Sequence, residues 1–179
     1  DCQQVFGGHG YIREWGMEQI VRDARISQIY EGTNGIQALD LLGRKIAKDG
    51  GAILSAFLTE IRDFVTNMQA EHSIKQATLN ATDSIEDLTK TLMTNINERK
   101  DEVNGCAVNY LHAVGYLCFA YMYALIVEAS YDNDEFFYVH KLKLADYFID
   151  HILPRMQSHI EMAQAGSKSM MAFDLGYFV

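Results

Sequence analysis

One proline in 179 residues, Pro154, is the strongest constraint on what this chain can fold into. Proline is the residue that most sharply interrupts a helix, and here almost nothing does. Val, Ile and Thr never alternate with polar residues for long enough to mark a strand. Apolar residues recur instead at helical spacing along the whole chain. The expected fold class is all-α.

The spacing divides the chain into segments. Met17, Ile20, Val21 and Ala24 fit one face of a short helix. Ile36, Leu39, Leu42 and Ile46 fit the next, with Thr33 or Asn34 as its N-cap. Gly50-Gly51 then breaks the chain. Past the break, Ile53, Leu54, Phe57, Leu58, Ile61, Phe64, Val65 and Met68 form an unbroken stripe. Ile85, Leu88, Leu92 and Ile96 repeat it more thinly, after the cap candidates Thr82, Asp83 and Ser84. Residues 103 to 128 are apolar on most faces, which suits the central helix of a bundle. The polar stretch Tyr131-Asp132-Asn133-Asp134 reads as a turn. A final long helix is expected over residues 136 to 165, kinked or divided at Pro154. The tail holds Met170, Met171, Phe173, Leu175 and Phe178, and is expected to dock through them. Residues 1 to 49 thus carry motifs, and residues 50 to 179 read as a four-helix bundle without an evident active site.

Composition excludes some classes of partner. The formal net charge of -9 argues against nucleic acid, because phosphate binding needs clustered Lys and Arg. Cys2, Cys106 and Cys118 are odd in number and lack a Cys-x-x-Cys pair, so neither a disulfide framework nor a zinc site is expected. Reduced thiols suit a cytoplasmic, intracellular protein. The most apolar stretch, residues 111 to 127, is at the lower limit of length for a bilayer and holds His112 and three tyrosines; it reads as a core helix, not a membrane span. The six histidines show no metal-ligand spacing, although His151 and His159 share a helix face. The chain opens on Asp1, directly in a motif, so it is expected to be a piece of a longer protein.

Two motifs carry chemistry. Ile29-Tyr30-Glu31-Gly32-Thr33-Asn34 sets one carboxylate at a glycine break between two helical patterns. Gln4-Val5-Phe6-Gly7-Gly8-His9-Gly10-Tyr11 lies upstream. Read alone, Glu31 is an acid near a helix N-terminus, and Gly7-Gly8-His9-Gly10 is a weak phosphate signal with no βαβ pattern around it. The charged cluster Arg22, Asp23 and Arg25 reads as solvated or as interhelix ion pairs rather than as catalytic. Tyr110, Phe119, Tyr121 and Tyr123 read as bundle packing.

These two blocks, with Arg22-Asp23-Ala24-Arg25-Ile26 between them, closely resemble the C-terminal helical domain of acyl-CoA dehydrogenases in order and spacing. Residues 50 to 179 resemble the extra helical domain of the branch that includes 3-methylmercaptopropionyl-CoA dehydrogenases. The resemblance implies the end of the acyl-CoA dehydrogenase C-terminal helical bundle followed by a four-helix-bundle-like domain. It implies FAD as cofactor, an acyl-CoA substrate, an electron-transfer flavoprotein or similar acceptor, and a homo-oligomer. It makes Glu31 the catalytic base that takes the α-proton, with Tyr30 and Gly32 at the substrate. Gln4, Gly7, Gly8 and Thr33 become flavin contacts. At Gly35 the chain departs from the common pattern, where a glutamine often reaches the cofactor, and Asn34 is the candidate replacement. An acyl-CoA oxidase, or a purely structural or oligomerisation module, are the alternatives. The isolated chain, lacking most of a flavin pocket, is expected to bind no FAD and to be inactive.

Overall fold

The computed structural model describes residues 1–30, 32–98, 102–174 and 176, with the backbone alone at 97 and 98. Every regular element among them is helical. By its own packing the chain divides into two units, Asp1–Gln37 and Ala38–Val179.

The first unit is a run of short pieces. It holds α1 (Cys2–Val5), the 3-10 turns Gly7–Tyr11 and Arg13–Trp15, α2 (Met17–Ile26) and the start of α3 (Thr33–Leu39). The predicted face of α2 exists as a pattern, yet Ile20 is 58% and Val21 42% exposed. Gly10 is the only buried residue among those described in this unit. A Cβ there would stand 2.2 Å from the Gln3 carbonyl oxygen, so the tight return of the chain over Gln3 requires glycine.

The second unit has a continuous core. α3 runs into a wide π turn, Asp40–Ile46, and Ala38, Leu42 and Ile46 bury one face. Gly50 and Gly51 both adopt positive φ, 68° and 85°, and end this helix. Asp49 then caps α4 (Ala52–Asn67): its two carboxylate oxygens accept from Gly51 N and Ile53 N, each at 2.9 Å. The expected stripe is the buried face of α4, through Leu54, Leu58, Ile61, Val65 and Met68. Each such side chain contributes roughly 1.5–3 kcal/mol of burial. Ile53, at the edge of the stripe, is 64% exposed.

α5 spans Ile74–Glu98, so it starts well before Thr82. The expected cap at Thr82, Asp83 and Ser84 is corrected: Thr82 is fully buried in mid-helix and donates its hydroxyl to the Thr78 carbonyl at 2.7 Å. α6 (Glu102–Glu128) is the central helix and packs against α5, α8, α7 and the π turn. By length and composition alone it could cross a membrane; here Cys106, Tyr110, Leu117, Ala124 and Val127 are buried in the core. Burial pushes the Cys106 thiol up to about 11, helped by the nearby Glu102 carboxylate. It pushes the Tyr110 phenol up to about 12 even though Thr89 shares a 2.7 Å hydrogen bond with it. Tyr121 donates to Glu60 at 3.2 Å and meets Phe57 and Phe64 edge-on, and Tyr123 stacks on Phe148. Phe119 is not packing; it is 58% exposed.

The expected last helix is divided. α7 (Phe136–Tyr147) passes into a π turn, Phe148–Ile152, and α8 (Arg155–Gln164) begins after Pro154. The described part of the tail docks, but not through Met170 or Met171. Met170, Met171 and Phe173 are exposed, and Leu175 and Phe178 lie outside the described residues. Ser167 docks instead: its amide and hydroxyl donate to the buried Glu102 carboxylate at 3.0 and 2.8 Å. Gly166 (φ 66°) lies so close that a Cβ would stand 2.4 Å from Glu102 Oε2, and one on Gly105 would stand 2.8 Å from Ser167 Cα.

Candidate active-site segment

Gln4, Gly7, Gly8, Thr33 and Asn34 stand on three short elements, and Tyr30 and Gly32 lie between α2 and α3. Gln4 is on α1 and exposed; Gly7 and Gly8 open the first 3-10 turn and are also exposed. Gly7 has φ 57°, and a Cβ on Gly7 or Gly8 would meet nothing within 4 Å. Their backbone is therefore free to be approached closely. His9 and Trp15 close edge-on at 5.8 Å and, with Phe6, line an open hollow of ≈ 310 Å³.

Tyr30 follows α2 and is 52% exposed. Its amide donates to Ile26 O at 3.1 Å, and its carbonyl accepts from Thr33 N at 3.4 Å. Glu31, the candidate base, lies outside the described residues. Gly32 and Thr33 have φ 89° and 70°, two successive left-handed residues. At Gly32 only glycine fits, since a Cβ would stand 2.9 Å from Ile36 Cγ2. A β-branched residue at positive φ is a rare and strained conformation. Thr33 is thus the first residue of α3 and not a conventional cap, and Asn34 follows it, exposed, inside the helix.

Arg22, Asp23 and Arg25 do not pair with one another in the structure. Arg22 binds Glu18 one turn earlier, at 2.7 and 3.2 Å, and that bond holds the Glu18 carboxyl below its ordinary range. Arg25 binds Gln28. In the second unit, His151 and His159 are drawn apart onto different partners: His151 lies against Tyr147, and His159 stacks on His112 at 4.8 Å. A hollow of ≈ 250 Å³ between α4 and α5 includes Arg62, Glu86 and Lys90 in its lining. Those charges are paired among themselves, and none of the candidate residues borders it.

The fit to FAD is partial. Exposed, unobstructed backbone at Gly7 and Gly8, with Gln4 beside them, suits a pyrophosphate reached from outside. A flavin ring needs an enclosed apolar slot, and a unit that buries only Gly10 among its described residues has no interior to supply one. Gln3 was not legible in the sequence as part of this segment; its side-chain amide donates to Gly10 O at 3.4 Å and helps fix the glycine turn.

Comparison with known proteins places the two halves in order. Residues 57–174 match the family described as acetyl-CoA dehydrogenase C-terminal like, and residues 1–46 match the acyl-CoA dehydrogenase C-terminal domain. The chain belongs to the acyl-CoA dehydrogenase C-terminal family. It is 28% identical, over 98% of its length, to the broad-specificity linear acyl-CoA dehydrogenase FadE5 of Mycobacterium tuberculosis. It is 27% identical, over 93% of its length, to a butyryl-CoA dehydrogenase of Syntrophomonas wolfei. A shorter stretch, 30% of the chain, is 57% identical to the 3-methylmercaptopropionyl-CoA dehydrogenase of Ruegeria pomeroyi. The chain covers 31%, 29% and 9% of those three proteins respectively.

Proposed function

We propose that this acyl-CoA dehydrogenase segment closes the catalytic domain of an enzyme that introduces an α,β double bond into an acyl-CoA thioester. The observation that carries the reading is the ordered match of both parts of the chain, residues 1–46 and then 57–174, to two acyl-CoA dehydrogenase domains. The domain boundary is proposed at the Gly50-Gly51 break, where two positive φ values end one helix before Asp49 caps the next.

In this reading the Glu31 carboxylate takes the α-proton. A thioester α-proton is a weak acid, so the site must strengthen the base and stabilise the enolate-like charge. Burial of Glu31 against the acyl chain would raise its pKa from about 4.3. Its own backbone N–H would donate to the thioester carbonyl, and one such donor is typically worth about 2.7–4 kcal/mol. Gly32 supports this by allowing close approach of the chain, and half-exposed Tyr30 would flank the thioester. FAD, when bound, supplies the acceptor for the β-hydride. Gln4, Gly7, Gly8, Thr33 and Asn34 would hold its outer parts, all of them exposed and so available to a ligand held mainly elsewhere. The substrate is an acyl-CoA, the electrons pass to an electron-transfer flavoprotein or similar acceptor, and the enzyme is intracellular and homo-oligomeric. The 179-residue chain by itself binds no FAD and has no turnover.

Glu31→Gln in the longer protein that carries this segment tests the reading. Removal of a general base is expected to lower turnover by about 10²–10⁴-fold, with flavin still bound by its absorbance. Near-normal turnover would assign the base elsewhere. A second role for Ala38–Val179, as scaffold, is favoured by its self-contained core and by the absence of any candidate residue in its hollow between α4 and α5.

A further inference from the structure

On the assignment of Glu31 as the base, we propose that Thr33 is its positioning residue: its left-handed backbone, and not its hydroxyl, sets the direction in which the carboxylate is presented. Thr33 is the only non-glycine residue at positive φ among those described. A β-branched residue keeps such a backbone only where its surroundings force it, and outliers of this kind collect at functional sites. This one stands two residues after the candidate base, with Gly32 between them.

Backbone contacts hold the conformation. The Thr33 amide donates to the Tyr30 carbonyl at 3.4 Å, closing a turn that begins at Tyr30. Gly32 (φ 89°) passes so close to Ile36 that a Cβ would stand 2.9 Å from its Cγ2, which presses the turn onto α3. The Thr33 hydroxyl makes no hydrogen bond with another described residue. It neither caps α3 nor holds the backbone.

The φ of Thr33 is the torsion that joins the turn to α3. Taking it from 70° to the ordinary helical value of about −63° turns everything before Thr33 by roughly 130° relative to α3. A carboxylate two residues earlier would be carried away with it. A shift of about 1 Å in a reacting group costs roughly 10²-fold in rate. Glycine would take the same backbone without strain. Threonine adds an exposed hydroxyl that remains for a ligand, so the backbone serves the base and the side chain serves the flavin.

Hydroxyl-free variants of the longer protein separate the two roles. Thr33→Val keeps the branching of threonine. Thr33→Asn brings a side chain that tolerates the left-handed region. Thr33→Pro excludes positive φ, yet suits the first position of a helix. Each should bind flavin more weakly. Per bound flavin, kcat of Thr33→Pro should fall about 10²-fold below that of the other two, with KM for the acyl-CoA kept within about threefold. A merely structural role would reduce the amount of flavin-loaded enzyme and leave kcat per flavin alike in all of them. Equal kcat throughout, or a kcat in Thr33→Asn more than about tenfold below that of Thr33→Val, would overturn the proposal. NMR scalar couplings of the 179-residue chain give a second readout, free of flavin and turnover. They should report positive φ at Thr33, and a negative φ would overturn the proposal as well. Glu31→Gln keeps the two assignments apart. Near-normal turnover there removes the base itself, whereas its loss beside indifferent Thr33 variants removes only the positioning.

Discussion

Asp1–Gln37 and Ala38–Val179 use the same amphipathic helices to opposite ends. In the second unit the apolar faces are shut inside: Leu58, Ile61, Ile85, Leu92, Leu117 and Val127 are at most 2% exposed. In the first, Val5, Tyr11, Ile20, Ile29 and Tyr30 are all more than half exposed, and only Gly10 among the described residues is buried. Every candidate site residue belongs to the open unit. The difference shows that a motif-bearing segment can keep its local geometry with little buried among its described residues. The buried core stands in one stretch of the chain and the candidate residues in the other.

Core truncation breaks this comparison most strongly. Ile61→Ala should cost about 2–5 kcal/mol of unfolding free energy, while Val21→Ala on the uncovered face of α2 should cost under about 0.5 kcal/mol. Urea unfolding of the 179-residue chain measures both; similar costs would mean that α2 is buried after all. Next comes the tail clasp. Glu102→Ala strands the Ser167 amide and hydroxyl in a buried site, and about 2–3 kcal/mol should be lost. A loss confined to tenths would show that the tail adds nothing to the core.

The smallest effect is that of pH. Burial, and then the neighbouring His112, hold the His159 pKa below its ordinary value of 6.5. The folded state therefore prefers neutral His159. Its stabilisation is present above the unfolded value and is lost as pH falls through the lowered folded one. Thermal stability of the second unit should decline as pH falls below about 6.5, and His159→Gln should flatten part of that decline. An unchanged pH profile in the variant would assign the acid sensitivity to other groups.

Most of the second unit was legible because its helices keep strict apolar spacing and Gly50-Gly51 marks the start of α4. The exceptions have physical causes. Thr78 and Thr82 occupy core positions of α5, so the apolar pattern thins where the helix in fact continues. Their hydroxyls are satisfied by carbonyl groups, Thr78 by Ala120 O at 3.3 Å and Thr82 by Thr78 O. A threonine followed by Asp83 and Ser84 then imitates a helix cap. Glu102 looks like any acid at a helix start; only Ser167, 65 residues later, shows that it is a buried anchor. In the first unit the motifs were legible and their backbone was not. Gly32 suggested a turn, but positive φ at Thr33 could not be read from a β-branched residue.

Native-state hydrogen exchange of the 179-residue chain tests the division most directly. A ten-residue helix is marginal in water without tertiary cover. Amides of α2 should therefore exchange through local opening, with protection far below that of α5 and α6, whose slowest amides should report global unfolding. Protection of α2 equal to that of α6 would contradict the account, because it would mean that the first unit has a covered core of its own.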